Sequence, residues 1–242
     1  MLYELAGFPM IAFMIKRVKR AAEVDDVVLA TGDGPENDAL EAIATKLAIQ
    51  VFRGSEDDVL SRYLGAATMS AADVIVRLTG DCPLADPQVI SAVINHRAEH
   101  SLDYCSNVKP PSWPDGLDVS VFTFDTLSLA AQEAHLRSER EHVVPWMWKE
   151  SSLENGTRLR AGNVPAPHDM SGARWTVDDA RDYMMLRTLA DTMGDERLLN
   201  ADWLEIMDCT NAHPQIASLN AGIKRDEGLA RSRAADRLEE RS

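Results

Sequence analysis

Two aspartates stand where chemistry could gather. Asp81 follows the run Asp73-Val74-Ile75-Val76-Arg77-Leu78, and Asp178 follows Trp175-Thr176-Val177. Each sits at the end of a predicted strand. A carboxylate there is most simply a turn or cap residue. Two that meet could instead hold a divalent cation, because magnesium takes a few carboxylate oxygens and completes its octahedron with water and phosphate oxygens. A cation so held neutralises an attacked phosphate and orients it for in-line displacement, which suits nucleotidyl transfer. Spacing alone leaves open whether the two acids converge.

The elements that must position them alternate. A helix is expected after Pro9, with Ile11, Met14, Ile15 and Val18 at helical spacing. Strands are expected at Asp26–Ala30, Ile49–Phe52 and Asp73–Leu78, each a short apolar run. Helices are expected at Pro35–Leu47, Glu56–Met69 and Asp86–His100, the last with Asp86 as its cap and Pro87 at its first position. This repetition predicts parallel strands with right-handed crossovers, and ligands in such sheets gather at the carboxyl ends of the strands. The three strand ends are Thr31-Gly32-Asp33-Gly34, Arg53-Gly54-Ser55 and Thr79-Gly80-Asp81. Aligned at one edge, they would form a binding site.

Beyond residue 100 the pattern changes. Pro110, Pro111 and Pro114 mark a loop ending in Asp115-Gly116, and Leu117–Phe124 reads as a strand. Helices are expected at Asp125–Ala134, with Asp125 as cap, and at Ser138–Lys149, with Ser138 and Glu141 as a capping box. Arg158–Val164 and Arg174–Val177 read as strands, Ala180–Met193 and Ala201–Met207 as helices, and 226–242 as a charged tail or helix. No linker is evident, so the 242 residues are expected to form a single domain.

Composition narrows the function. The net charge is −14, the wrong sign for a nucleic-acid or anionic-membrane binder. Cys82, Cys105 and Cys209 are odd in number and widely spaced, which argues against a disulfide framework or zinc site and for a reducing cytoplasm. No run of about 18 apolar residues and no signal-peptide order appear. The basic residues Lys16, Arg17, Lys19 and Arg20 are expected to form a solvated helix face.

Several segments carry a resemblance in family order. They are Phe52-Arg53-Gly54-Ser55-Glu56-Asp57-Asp58-Val59-Leu60, Arg77-Leu78-Thr79-Gly80-Asp81-Cys82-Pro83-Leu84, Tyr104-Cys105-Ser106-Asn107, Pro114-Asp115-Gly116-Leu117-Asp118-Val119, Ser138-Glu139-Arg140-Glu141-His142-Val143 and Arg174-Trp175-Thr176-Val177-Asp178. Together they resemble the SpsF-type spore-coat polysaccharide cytidylyltransferases, relatives of the acylneuraminate and deoxy-octulosonate cytidylyltransferases. The resemblance implies a GT-A-like α/β nucleotidyltransferase fold, a mostly parallel mixed sheet flanked by helices. It implies transfer of CMP from CTP to a sugar acid with release of pyrophosphate. Asp81 and Asp178 would be catalytic and hold Mg2+. Arg53, Gly54, Ser55 and Thr79 would lie near the nucleotide, joined at the strand ends by Thr31, Asp33 and Gly80. Asp115, Gly116, Asp118, Arg140, Glu141 and His142 would line the sugar side. A homodimer is expected by analogy. Two alternatives stay open: a glycosyltransferase using a nucleotide-sugar donor, and a non-catalytic nucleotide-sugar binding protein.

The family normally opens with a strand and a loop resembling Gln-Ala-Arg-x-Gly-Ser-x-Arg-Leu-Pro-Gly-Lys, and Met1–Met10 resembles the segment that follows that loop. The expectation is a start assigned about 20 residues too late, the length of one strand and its loop. A chain lacking them is expected to be poorly soluble or to need a partner, and to transfer CMP very slowly.

Overall fold

The computed structural model describes residues 1–239. A two-residue hairpin opens the chain: β1 (Glu4–Leu5) pairs with β2 (Phe8–Pro9). Ala6 and Gly7 both adopt positive φ between them, the conformation that a tight hairpin requires and that glycine meets without strain. Then follow α1 (Met10–Val18), β3 (Val28–Gly32), a 3-10 turn at Pro35–Asn37, α2 (Asp38–Lys46), β4 (Gln50–Gly54), α3 (Val59–Ser70), β5 (Val74–Arg77) and α4 (Pro87–Glu99). The second part holds β6 (Tyr104–Ser106), β7 (Ser120–Thr123), α5 (Phe124–Glu133), α6 (Arg137–His142), α7 (Pro145–Lys149) and β8 (Ala161–Asn163). It ends with α8 (Ala180–Met193), α9 (Asp195–Asn200), α10 (Trp203–Ala212), α11 (Pro214–Ser218) and α12 (Glu227–Glu239). The expected tail is therefore helical as far as described, and residues 240–242 lie outside the described residues.

The α/β fold with mixed pairing is as expected, but the third strand joins differently. β3 pairs in parallel with β4 alone. β5 belongs to a four-stranded sheet ordered β5-β7-β6-β8, in which β7 is antiparallel to both β5 and β6, and β8 runs parallel to β6. Among the described residues no ladder links β3 to β5. The β5 edge that hydrogen-bonds is taken by β7, so the two sheets are joined through helices rather than through backbone pairing.

Alternation along the strands divides the core. Val121 and Cys105 point into a cluster with Phe13 of α1, Ile90 of α4, Leu186 of α8 and Ile206 of α10. Ile75, Phe122 and Tyr104 point the other way, against Leu60 of α3, Leu127 of α5 and Met147 of α7. Period-two alternation on a sheet covered on both faces is what directs these residues to opposite layers.

Local expectations were corrected in five places. Arg174–Val177 forms no strand and contributes only a bridge between Arg174 and Asp115. The predicted helix Ser138–Lys149 is two helices, broken where Val143 takes a positive φ and Pro145 starts α7. Ser138 lies inside α6, where its N–H donates to Asp236 rather than standing at a capping box. Thr123, not Asp125, caps α5. Arg17 also departs from the solvated face: it is fully buried, donating to the carbonyls of Leu84, Ala85, Leu198, Leu199 and Ala201 and lying 3.8 Å from Asp86. Carbonyls left free at the end of α9 and in the loop before α4 need a donor, and a long guanidinium supplies one.

Candidate functional site

Asp81 and Asp178 converge. The backbone N–H of Val177 donates to the Asp81 carbonyl at 2.8 Å, and the Thr176 hydroxyl donates to the same oxygen at 3.2 Å. These two bonds join the segment after β5 to the segment before α8, although they are far apart in sequence. The carboxyl groups come within hydrogen-bonding reach. Desolvation first, and then the charge of Asp81, push the Asp178 pKa up. Two carboxylates that resist joint ionisation are suited to sharing a cation. One Asp178 oxygen accepts from Arg174 at 2.7 Å, which fixes the side chain without neutralising the pair. Among the described residues no group of three or more His, Cys, Asp or Glu side chains could hold a metal. The pair thus offers two hard oxygen donors and leaves other positions to water and phosphate, which fits magnesium better than a fully protein-bound ion.

Arg174 is the hub behind this pair. Its side chain is 8% exposed and reaches Asp115 at 2.7 Å, Asp178 at 2.7 Å and Asp182 at 2.9 Å. Asp182 is fully buried and accepts from Asn220 and from the N–H groups of Asp178 and Asp179; burial raises its pKa, but Arg174 first, and then Asn220 and the Asp178 N–H, hold it below its usual range. Asp115 is pushed up to about 6 by burial, with the opposing charges of Arg225 and Arg174 pulling against it and Asp118 adding to it. Gly116 has φ +109°, and a Cβ there would lie 2.6 Å from the backbone of Trp175 and Thr176. Only glycine lets the Asp115 carbonyl accept from the N–H groups of both residues.

The first two strand-end loops are tied together by Arg53. Its guanidinium donates to the carbonyls of Gly32, Asp33 and Gly34 and pairs with Asp38 and Glu41 at 2.7 Å each. As placed, Arg53 holds the loops rather than presenting a free cation. The Thr31 hydroxyl is buried and donates to Asn37, while Asp33 and Ser55 are exposed and Gly54 is half-buried. In the third loop the Thr79 hydroxyl lies 3.3 Å from the Cys82 sulfur, and Met1 leans against the open side of Gly80.

The expected sugar-side residues divide into two groups. Asp115, Gly116 and Asp118 lie beside the acid pair, with Asp118 ion-paired to Arg225. Arg140, Glu141 and His142 lie on α6 and are engaged elsewhere. Arg140 directs Nε and a terminal nitrogen to one oxygen of Asp58 at 2.9 and 2.6 Å, and also binds the Ala131 and Ala134 carbonyls. Glu141 and His142 both contact the hydroxyl of Ser232 on α12. A cleft of about 380 Å³ lies over this face, lined by Asp57, Asp58, Arg137, Arg140 and Glu141, and does not include the acid pair.

The cytidylyltransferase family profile matches residues 1–206. The chain belongs to that family. The spore coat polysaccharide biosynthesis protein SpsF of Bacillus subtilis (strain 168) is 29% identical over 216 residues, 85% of this chain and 84% of that protein. A 3-deoxy-manno-octulosonate cytidylyltransferase of Anaeromyxobacter sp. (strain Fw109-5) is 37% identical over 95 residues, 38% of each chain. A solved cytidylyltransferase from Leptospira borgpetersenii shares 28% identity with a TM-score of 0.83, covering 93% of this chain and 91% of that one.

In this cytidylyltransferase the sequence reading missed the groups that hold the acids in place. Arg174 was visible within its motif, and its spacing to Asp178 and Asp182, four and eight residues on, was the available signal for ion pairing. Asn220 and Arg225 lie beyond the family match and carried no local signal. They reach Asp182 and Asp118 only through the chain path after α11. Among the described residues no helix is long and apolar enough to cross a membrane.

Proposed function

We propose that this chain transfers CMP from CTP to a sugar acid, as a single domain in the cytoplasm, and supplies an activated sugar for surface polysaccharide or glycoconjugate synthesis. The observation that carries this reading is the meeting of Asp81 and Asp178 in a member of the cytidylyltransferase family. The names of the SpsF and octulosonate relatives support the sugar-acid acceptor and the polysaccharide setting.

In the reaction a hydroxyl oxygen of the sugar forms a bond to the α-phosphorus of CTP. The bond from that phosphorus to the bridging oxygen breaks, the hydroxyl proton is lost, and pyrophosphate leaves. Asp81 and Asp178 would hold Mg2+, whose charge would offset that building on the α-phosphate. Arg174 fixes the Asp178 side chain, and the Val177 and Thr176 bonds hold the Asp81 backbone beside it. Thr31, Asp33, Gly54, Ser55, Thr79 and Gly80 would approach the nucleotide, with Arg53 positioning the first two loops. Asp115 and Asp118 would face sugar hydroxyls, Gly116 would keep Asp115 in place, and Arg140, Glu141 and His142 would shape the outer wall. A homodimer completes the reading by analogy with the family.

Pyrophosphate release from CTP, measured across a panel of sugar acids in the presence of magnesium, tests this directly. Release that depends on one acid supports it. Release of UDP or CMP from a nucleotide-sugar donor, with none from CTP, would overturn it.

A further inference from the structure

Register sets two rows of side chains across the four-stranded sheet. Ile75, Phe122 and Tyr104 stand opposite one another on β5, β7 and β6, and Arg77, Ser120 and Ser106 form a second row two residues along each strand. Directly paired residues share a face, and so do residues two apart, so both rows point the same way. The first row enters the core beneath α3 and α5. The second row is polar and lies at the carboxyl end of β5, two residues before Thr79.

Among the described residues, two of its three members hold a buried polar atom without a hydrogen-bond partner of good geometry. The Ser120 hydroxyl lies 3.0 Å from the Tyr104 hydroxyl, which accepts from Trp148 Nε1 at 2.8 Å. Ser106 is fully buried, and among the described residues its hydroxyl makes no hydrogen bond of good geometry, although it lies near enough to the Tyr104 hydroxyl to oppose the rise that burial gives that phenol's pKa. Arg77 Nε is buried and equally without an acceptor. The other arginines of this region are committed: Arg174 to three aspartates, Arg225 to Asp118 and Arg140 to Asp58. Burying a guanidinium N–H and a hydroxyl without acceptors is unfavourable, and an anionic ligand relieves both at once. Arg77 is close enough to Asp118 and His142 for its charge to oppose the rise that burial gives the first and to add to the fall that burial gives the second, which sets it near two residues expected on the sugar side.

We propose that Arg77 and Ser106 form the subsite for the carboxylate of the acceptor sugar acid. This rests on the CMP-transfer reading and adds to it a means of selecting acids over neutral sugars. Arg77 Nε–H and the Ser106 hydroxyl donate to the carboxylate oxygens, while Asp115 and Asp118 accept from hydroxyls. The row belongs to β5, β6 and β7, whereas the loops Thr31–Gly34 and Arg53–Ser55 follow the separate β3–β4 pair. That placement favours the acceptor's carboxylate over the triphosphate. A neutral sugar would leave both donors unpaired, a strong basis for rejection.

The test compares wild type with Arg77→Gln, Arg77→Lys and Ser106→Ala, using 3-deoxy-manno-octulosonate, N-acetylneuraminate and their carboxamides as probes. Arg77→Gln is expected to raise the KM for the acid roughly ten- to a hundredfold, with the KM for CTP changed less than about twofold. Ser106→Ala is expected to raise the same KM by less, and Arg77→Lys to restore part of the loss. A rise confined to the KM for CTP, or no change in either, overturns the subsite; melting temperatures check that each variant folds. A second readout needs no turnover. The 15N Nε–H signal of Arg77, titrated without CTP, should shift with at least one acid and not with its carboxamide. Such a shift in a protein that releases no pyrophosphate keeps the subsite and refutes the transfer reading. Absence of a carboxylate-dependent shift refutes the subsite, whether or not CTP is consumed.

Discussion

Asp178 has two duties that pull against each other. One oxygen answers Arg174, while the carboxyl group as a whole faces Asp81, whose charge raises its pKa. Asp81→Asn and Asp178→Asn should each lower kcat on the order of a hundredfold or more, measured as pyrophosphate release, and should abolish any rise in melting temperature caused by magnesium. Without metal the first variant should be slightly more stable than wild type, by roughly 0.2–1 kcal/mol in a urea titration, because a like-charge contact is relieved and solvent at the exposed Asp178 already screens it. The two acids were legible in the sequence, since each follows a short apolar run and precedes a helix. Arg53 was legible as a strand-end residue, but its role was not. Only the fold shows Asp38 and Glu41 waiting for it on the preceding helix, α2.

Elements hold the site by contacts that depend on shape as well as charge. Gly116→Ala should cost about 1–3 kcal/mol, because a Cβ at φ +109° is strained and meets the Trp175–Thr176 backbone. Activity should fall with stability, as Thr176 and Val177 are the link to Asp81. At the other end, α12 docks on α6 through Ser232 and Asp236. Burial lowers the His142 pKa below its ordinary 6.5; Arg77 and Arg233 add to this, and Glu141 and Asp226 oppose it. The native state therefore favours the neutral ring, while the unfolded chain takes up a proton below about 6.5. Docking of α12 should be intact above that pH and weaken as the pH falls through it. Tryptic cleavage within α12, followed from pH 7.5 to 5.5, should accelerate on acidification, and His142→Gln should flatten the profile.

At the scale of the molecule, two sheets that share no ladder are held by helices, and Arg17 is one of the joints. It links α1 to the loop before α4 and to the end of α9. Burial lowers its pKa to about 10, which leaves it charged at neutral pH, and Asp86 faces it. Arg17→Met should cost about 3–5 kcal/mol in denaturant unfolding, since it strands Asp86 and several carbonyls together. A loss below 1 kcal/mol would mean that water replaces the guanidinium.

The sequence by itself determined the α/β class, most helices, the cap at Asp86 and the place of Asp81 between β5 and α4; it named Asp178 as well, although the segment before that residue forms no strand. These are encoded locally, by apolar periodicity and by the short range of turn and cap chemistry. The tertiary structure alone decided that β5 pairs with β7 rather than joining β3 and β4, that Arg17 is buried, and which cation answers which acid. Asp118 meets Arg225 across 107 residues of chain, and Asn220 meets Asp182 across 38. Such partners are selected by packing over long loops, where charge pattern carries no distance. Asp81 and Asp178 could be named from the sequence, but their meeting depended on the Val177 and Thr176 bonds to Asp81.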